Sequence, residues 1–481
     1  MIAVSGSALG WRSDPVVWSA QWLRWASMAS AAALSKRRLT RAGINLYNPP
    51  LAFFHLQKSE QKMKIVNAEC IALDIPFYAD HVTRHMHRAN THSERVHVYR
   101  LEADNGLVGY GDGTDAPNPV EALVGQDPWQ IYRHDKVGMG PQIALLDLVG
   151  RDAGVPIHQI IGAKLRDRCP ISWWDIDMPP EDWAKEAQES LKRGYTTFKM
   201  KARPWRDIHE QIRTVGAEVP GDYRFDIDFN GFLLTPANAE IHLQQLDQHV
   251  NVGMYESPFY LWRDTDGARG LREQVRKPIV DHFNERILHS RVSDGFVVGS
   301  TLQETLRQAA LASEFRAPFW LQMVGTGITT AYAAHVGSVL LHAQLPSITC
   351  FELFESTLLT GGIEVVDGYM DVPDGPGLGV EIDERALEQY RVEVGSPSPK
   401  EQYRAQQRIL VVSWPGDGDG RREWRFTDEK VYQFAFYKGN LPGFQQGIDL
   451  AVIEDDGSDA FAREHAAILA REDNLLMDEL R

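Results

Sequence analysis

The spacing of apolar residues changes several times along the chain. Ile65–Leu73 reads as a strand, and Arg95–Ala103 as a second in which Val96, Val98 and Leu101 lie between Arg95, His97 and Arg100. Asp104-Asn105-Gly106 is a hairpin turn signal, and Leu107–Gly111 follows as a third strand. The pattern then becomes helical, including Gln142–Ala153, and breaks at Gly154-Val155-Pro156. From about Arg168 a strand-then-helix rhythm sets in. The predicted strands are Pro170–Trp174, Thr197–Lys201, Tyr223–Asp228, Val252–Glu256, Pro278–Asp281, Gly295–Val298, Phe319–Met323 and Ile348–Leu353. Pro180–Arg193, Arg206–Glu218, Pro236–Gln248 and Leu302–Ser313 are helical stretches between them. Eight short apolar strands alternating with amphipathic helices predict a parallel sheet, and the length fits a closed barrel of roughly 250 residues.

Beyond about Gly395 the pattern changes again. Arg408–Trp414, Glu423–Tyr437 and Ile448–Ile453 read as strands and Ala460–Arg471 as a helix, a small α+β module without evident chemistry. Residues 1–62 are rich in Trp, Ala and Ser and lack strand alternation. They are expected to be a poorly ordered extension, with the working protein beginning near Met63.

Charge narrows the possible partners. Lys and Arg number 50 against 66 Asp and Glu, a net charge of −16. Such a balance excludes a phosphate-binding nucleic-acid surface, but not an anionic small molecule beside a bound cation. Cys70, Cys169 and Cys350 form neither a disulfide framework nor a zinc motif, which suits a reducing cytoplasm. No apolar run reaches the ~18 residues of a membrane span. Ala20–Leu34 is interrupted by Arg24 and followed by Lys36-Arg37-Arg38, the wrong polarity for a secretory signal.

The chemistry-bearing residues fall at predicted strand ends, where barrels of this type carry their active sites. Strand two ends in Lys199-Met200-Lys201. Strands three, four and five end in Asp228, Glu256 and Asp281, so successive steps from Lys201 are 27, 28 and 25 residues. Any one acid alone is explained as a helix cap. Three in successive units at matched strand ends would repel unless a cation neutralised them, and hard oxygen donors suit Mg²⁺. Lys199 and Lys201 lie two apart and so face one side. Their mutual repulsion is expected to lower their pKa values and make one a usable base.

These features together resemble a mandelate racemase/muconate lactonizing enzyme-like member of the enolase superfamily, over roughly Met63 to Arg391. The resemblance also rests on Ile143–Gly150 followed by Gly154-Val155-Pro156, on Ile160-Ile161-Gly162-Ala163 with Arg166, on Gly194-Tyr195 to Lys201, and on the turn Asp371–Gly379. It implies a TIM-like barrel in the modified (β/α)7β form over 166–394, an N-terminal α+β capping domain over 63–165, and a C-terminal module over 395–481. It implies that Asp228, Glu256 and Asp281 bind Mg²⁺, that Lys201 is the base, and that Lys199 tunes Lys201 and touches the substrate carboxylate. Asn230 supports the site, and the Asp80–His92 loop, with Arg84, His85, His87, Arg88 and His92, either closes over substrate or is a solvated turn. A cytoplasmic homo-oligomer acting on a small carboxylate substrate is expected.

The sequence departs from the family where a second base usually stands, a Lys ending strand six or a His ending strand seven. Strand six reads Phe296-Val297-Val298-Gly299-Ser300 and strand seven Trp320-Leu321-Gln322-Met323. His282 beside Asp281 should face away from the rim unless the strand ends there. Glu352 on strand eight either bonds the substrate carboxylate or sits in a buried pair, and Trp173 and Trp174 either shape the pocket or lie in the core. With one clear base, the reading is abstraction of the proton alpha to a carboxylate, followed by dehydration of a hydroxy or sugar acid. The alternatives are a racemase, epimerase or cycloisomerase of the same superfamily, and a non-catalytic barrel that binds a metal and an acid ligand.

Overall fold

The computed structural model describes residues 62–477 apart from position 419. The predicted extension therefore lies, but for Lys62, outside the described residues. Strands β1 (Ile65–Asp74), β2 (Arg95–Ala103) and β3 (Val108–Gly113) form an antiparallel sheet, and Arg391–Val392 adds a fourth strand to β1. The polar Asp80–His92 stretch is largely helix rather than loop. Helix α1 (Asp80–Arg88) buries Val82 and Met86, four residues apart, a helical stripe masked in the sequence by the surrounding His and Arg residues.

Helix α2 (Met139–Ala153) is apolar on nearly every side because it serves two cores. Ala144, Leu145 and Leu148 join the capping-domain core, whereas Ile143 and Leu146 join the barrel core. It ends at Gly154, whose left-handed backbone (φ 68°) suits glycine. Its buried Asp147 ties three elements together. The carboxylate accepts from the Tyr110 N–H (3.0 Å), the Leu378 N–H (2.7 Å) and Arg151 Nε (3.0 Å). A Cβ on Gly377 would lie 2.1 Å from Asp147 Oδ1, so the 371–379 turn can approach only as glycine.

The barrel sheet holds seven parallel strands in sequence order: β4 (Trp173–Asp175), β5 (Thr197–Lys201), β6 (Arg224–Asp228), β7 (Val252–Glu256), β8 (Ile279–His282), β9 (Gly295–Val298) and β10 (Phe319–Leu321). The predicted eighth strand, Ile348–Leu353, does not form as such. Ser347 bridges Ile171 at one sheet edge and Ile348 bridges Gln322 at the other, so two residues close the ring. Cys350 then turns left-handed (φ 59°), which ends the extended run before a short 3₁₀ turn over Phe351–Leu353. Trp173 and Trp174 are fully buried.

The C-terminal module is an antiparallel sheet of β11 (Arg408–Pro415), β12 (Arg421–Phe426) and β13 (Asp449–Glu454), with β11 in the middle. The predicted strand Glu423–Tyr437 divides into β12 and a helix over Glu429–Tyr437. Asp428 caps the helix through the Lys430 N–H. The spacing of Val431, Tyr432, Ala435 and Phe436, all buried, is helical rather than alternating. Strand β11 alternates strictly. Leu410 and Val412 join the barrel core, whereas Ile409 and Val411 pack with Phe461 and Ile468 of the last helix. The module thus shares the main core. Among the described residues, no helix is long and apolar enough to cross a membrane.

Candidate active site

Strand register decides which side chains meet. Lys201 pairs with Asp228, and Asp228 with Glu256, each the last residue of its strand. Glu256 pairs with Val280, so Asp281 stands one residue beyond. The Lys199 ammonium, 2% exposed, lies 2.6 Å from Glu256 Oε2 and 3.6 Å from Asp228 Oδ2. It also donates to Gln322 Oε1 at 2.8 Å and sits over the Trp320 ring. Lys201 Nζ donates to Asp228 Oδ2 (2.5 Å) and to Asn230 Oδ1 (3.2 Å). Asn230 is left-handed (φ 47°), and its N–H donates to Asp228 Oδ1 at 2.8 Å.

These contacts separate the two amines. Burial resists the Lys199 charge, but Glu256 and Asp228 outweigh it and its pKa is raised. Burial, reinforced by the Lys199 charge, outweighs Asp228 at Lys201 and lowers that amine. Mutual repulsion alone was expected to lower both; only Lys201 is lowered, and burial leads. Burial opposes ionisation of Asp228, yet Lys201 and Lys199 hold it below the usual carboxylate range. Burial lifts Asp281 to about 6, although the Ser257 hydroxyl (2.6 Å) and the His282 N–H (2.8 Å) both donate to it. Asp226, one pleat deeper than Asp228, is pushed by burial to about 7.

His282 turns towards the rim. It is the last residue of β8, so strand parity no longer constrains it, and its Nε2 lies 3.3 Å from Glu256 Oε1. Burial opposes its charge, but Glu256 prevails and raises its pKa. Glu352 is buried beside β4. Its Oε1 accepts from the Trp174 N–H (2.9 Å), its Oε2 is buried without a hydrogen-bond partner among the described residues, and burial lifts it to about 8. Arg84 is not brought to the rim at all: its side chain is 70% exposed and 3.9 Å from Asp182. Sequence reasoning did not single out Trp320 or Ser257, and named His92 only within a polar stretch. A cavity of about 480 Å³ beside the rim is lined by His92, Thr114, Asp115, Asn118, Ser300 and Gln322, among others.

The donor set suits a hard cation. Asp228, Glu256 and Asp281 offer only carboxylate oxygens, and both Glu256 oxygens are buried without a well-aligned hydrogen bond. Among the described residues no group of three or more His, Cys, Asp or Glu side chains is already gathered to hold an ion. Lys199 stands between Asp228 and Glu256, and Asp281 is turned onto Ser257.

Residues 182–287 and 299–386 match the family model described as enolase C-terminal domain-like. An N-succinyl-L-Arg/Lys racemase of Bacillus cereus is 23% identical over 353 residues, 61% of this chain and 90% of the relative. A D-galactonate dehydratase of Pectobacterium atrosepticum is 26% identical over 343 residues, 60% and 89% of the two chains. The crystal structure of the Bacillus cereus racemase superposes with a TM-score of 0.58 at 21% identity, covering 69% of this chain and 98% of that one. The barrel segment thus resembles the C-terminal domain of enolase-superfamily enzymes.

Proposed function

We propose that this enzyme removes the proton alpha to the carboxylate of a small hydroxy or sugar acid, with Lys201 as the base and loss of a β-hydroxyl as the outcome. The observation that carries the reading is the unequal lysine pair: Lys201 lowered and at the rim, Lys199 raised and locked between Glu256 and Asp228. A neutral amine accepts a proton, whereas a permanently charged one binds a carboxylate. Positioned general-base catalysis of this kind contributes typically ~10²–10⁴-fold.

Asp228, Glu256 and Asp281 would hold Mg²⁺. Bound there, the ion would supply positive charge against the negative charge that develops on the substrate carboxylate. The residues around it do the rest. Asn230 and Asp228 orient the Lys201 amine through the bonds at 3.2 and 2.5 Å. Gln322 holds Lys199 in place. Gln322 and Gly299 occupy the rim where a second base would stand, which favours chemistry on one face, and protonated Lys201 can return its proton to a departing hydroxyl. The hydroxyl, amide and carboxylate groups of Thr114, Ser300, Asn118 and Asp115 suit a polyhydroxylated ligand.

Epimerisation, racemisation or cycloisomerisation is the second reading. It is favoured by His282, a half-exposed imidazole turned towards Glu256. A turnover screen of aldonic and other hydroxy acids, D-galactonate and D-gluconate included, with Mg²⁺ and with chelator, tests the proposal. Formation of a 2-keto-3-deoxy acid only with Mg²⁺ supports dehydration; a stereoisomer without dehydration supports the second reading. Binding without turnover or α-proton exchange across the panel would indicate a ligand-binding barrel.

A further inference from the structure

The C-terminal module touches the rim through one segment in an unusual way. Four consecutive residues after helix α1 are each held by it. Arg404 Nη1 donates to the Ala89 carbonyl at 3.2 Å. The Asn90 N–H donates to Glu429 Oε2 (3.4 Å), and its side-chain amide donates to Asp428 Oδ1 (3.2 Å). Lys400 Nζ donates to the carbonyls of Thr91 (2.5 Å) and His92 (2.7 Å). One residue earlier, Arg88 pairs with Glu429. A loop normally satisfies its backbone groups with its own chain or with water.

Lys400 is the telling member. It is 6% exposed, and its two bonds go to backbone carbonyls rather than to a carboxylate. Burying an ammonium this way is costly, so the position is better explained by what it holds than by stability alone. It holds the backbone of His92. The His92 ring stands edge-on to Trp174 at 5.3 Å between centroids and lines the cavity with Gln322, the partner of Lys199.

The module is also anchored just after Lys201. The Phe444 N–H donates to the Pro204 carbonyl at 2.8 Å, the Gly447 N–H donates to Asp207 Oδ2 at 2.8 Å, and Arg206 pairs with Asp449. It therefore contacts both the loop that follows the candidate base and residues 89–92.

We propose that the C-terminal module is a clamp that fixes residues 89–92 over the cavity, with Lys400 as the positioning residue that sets His92 against the Lys199–Gln322 end of the site. The clamp stands on these contacts whatever reaction the barrel performs.

Hydrogen–deuterium exchange of the full-length protein and its Lys400→Met variant, read on peptides covering 88–94, tests it. At least tenfold faster exchange is expected in that segment, with peptides from β6 to β8 and the melting temperature little changed. Lys400→Arg, which keeps a cation able to donate to both carbonyls, is expected to restore most of the protection. Should Lys400→Met not fold, Arg404→Gln, which removes the bond to Ala89 and the pair with Asp428, reads the same segment. Unchanged exchange over 88–94, or acceleration spread evenly through capping domain and barrel, overturns the proposal.

Discussion

Lys199→Met removes a charge while keeping the length of the side chain, and the structure gives the scale of the loss. At an effective dielectric of about 20, an ammonium 2.6 Å from Glu256 and 3.6 Å from Asp228 gains about 6 and about 5 kcal/mol of Coulomb energy. Much of that is offset by the desolvation of three buried groups. What the deletion leaves is two buried carboxylates, Asp228 paired with Lys201 and Glu256 with only His282 beside it. Breaking a buried pair in this way costs about 3–5 kcal/mol. The sign with pH follows from Asp228. Its folded pKa is depressed, so its stabilising contribution is present above the ordinary carboxylate value of ~3.9 and is lost as pH falls through the folded value. The cost of Lys199→Met should thus be greatest at neutral pH and shrink in acid, where the orphaned carboxylates take up protons. Urea unfolding followed by tryptophan fluorescence, in chelator, at pH 7 and pH 3, measures both. A loss under 1 kcal/mol at pH 7, or one equal at the two pH values, would refute the reasoning.

Other expectations follow from neighbouring features. Glu352 is lifted to about 8, so the folded protein holds its proton while the unfolded chain has lost it, and wild-type stability falls as pH rises from ~4.3 to about 8. Glu352→Gln has no such proton to lose, and its stability relative to wild type should rise by up to ~1.4 kcal/mol per pH unit across that window; a flat difference in unfolding at pH 5, 6.5 and 8 contradicts the assignment. Gly111→Ala puts a Cβ 2.1 Å from the Gly140 carbonyl oxygen, where β3 meets α2. Overpacking of this kind costs about 1–3 kcal/mol, and an unchanged unfolding midpoint would argue against so close an approach. Mg²⁺ at a hundredfold excess over its Kd should stabilise the chelator-treated protein by about 2.7 kcal/mol. Calorimetry should show that gain disappearing in Asp228→Asn, and an equal gain in both proteins would place the ion elsewhere.

The β/α rhythm and the strand-end residues were legible because each barrel strand is short, apolar and bounded by a polar end, and because parallel register aligns those ends. What escaped was decided by contacts distant in sequence. The eighth strand reads as one locally, yet it makes only isolated bridges to the sheet edges, through Ala343, Ser347 and Ile348. Helix α1 hides its two apolar anchors among histidines and arginines that bond to distant acids, such as His85 to Asp182 and Arg88 to Asp177 and Glu429. The outward Arg84 and inward His92 look alike in sequence; the module some 300 residues later fixes His92. Parity foretold that Lys199 and Lys201 share a face. It could not foretell that unequal burial and unequal numbers of carboxylate neighbours would push their pKa values apart.

The most direct test of the account follows the α-proton itself. Proton NMR in D₂O, with Mg²⁺ and the acid that the screen identifies, should show wild-type enzyme replacing the α-hydrogen with deuterium, in recovered substrate or in product. Lys201→Met should slow this at least a hundredfold while still melting as a folded protein. Equal isotope incorporation by wild type and variant would mean that the Lys201 amine is not the group that takes the proton.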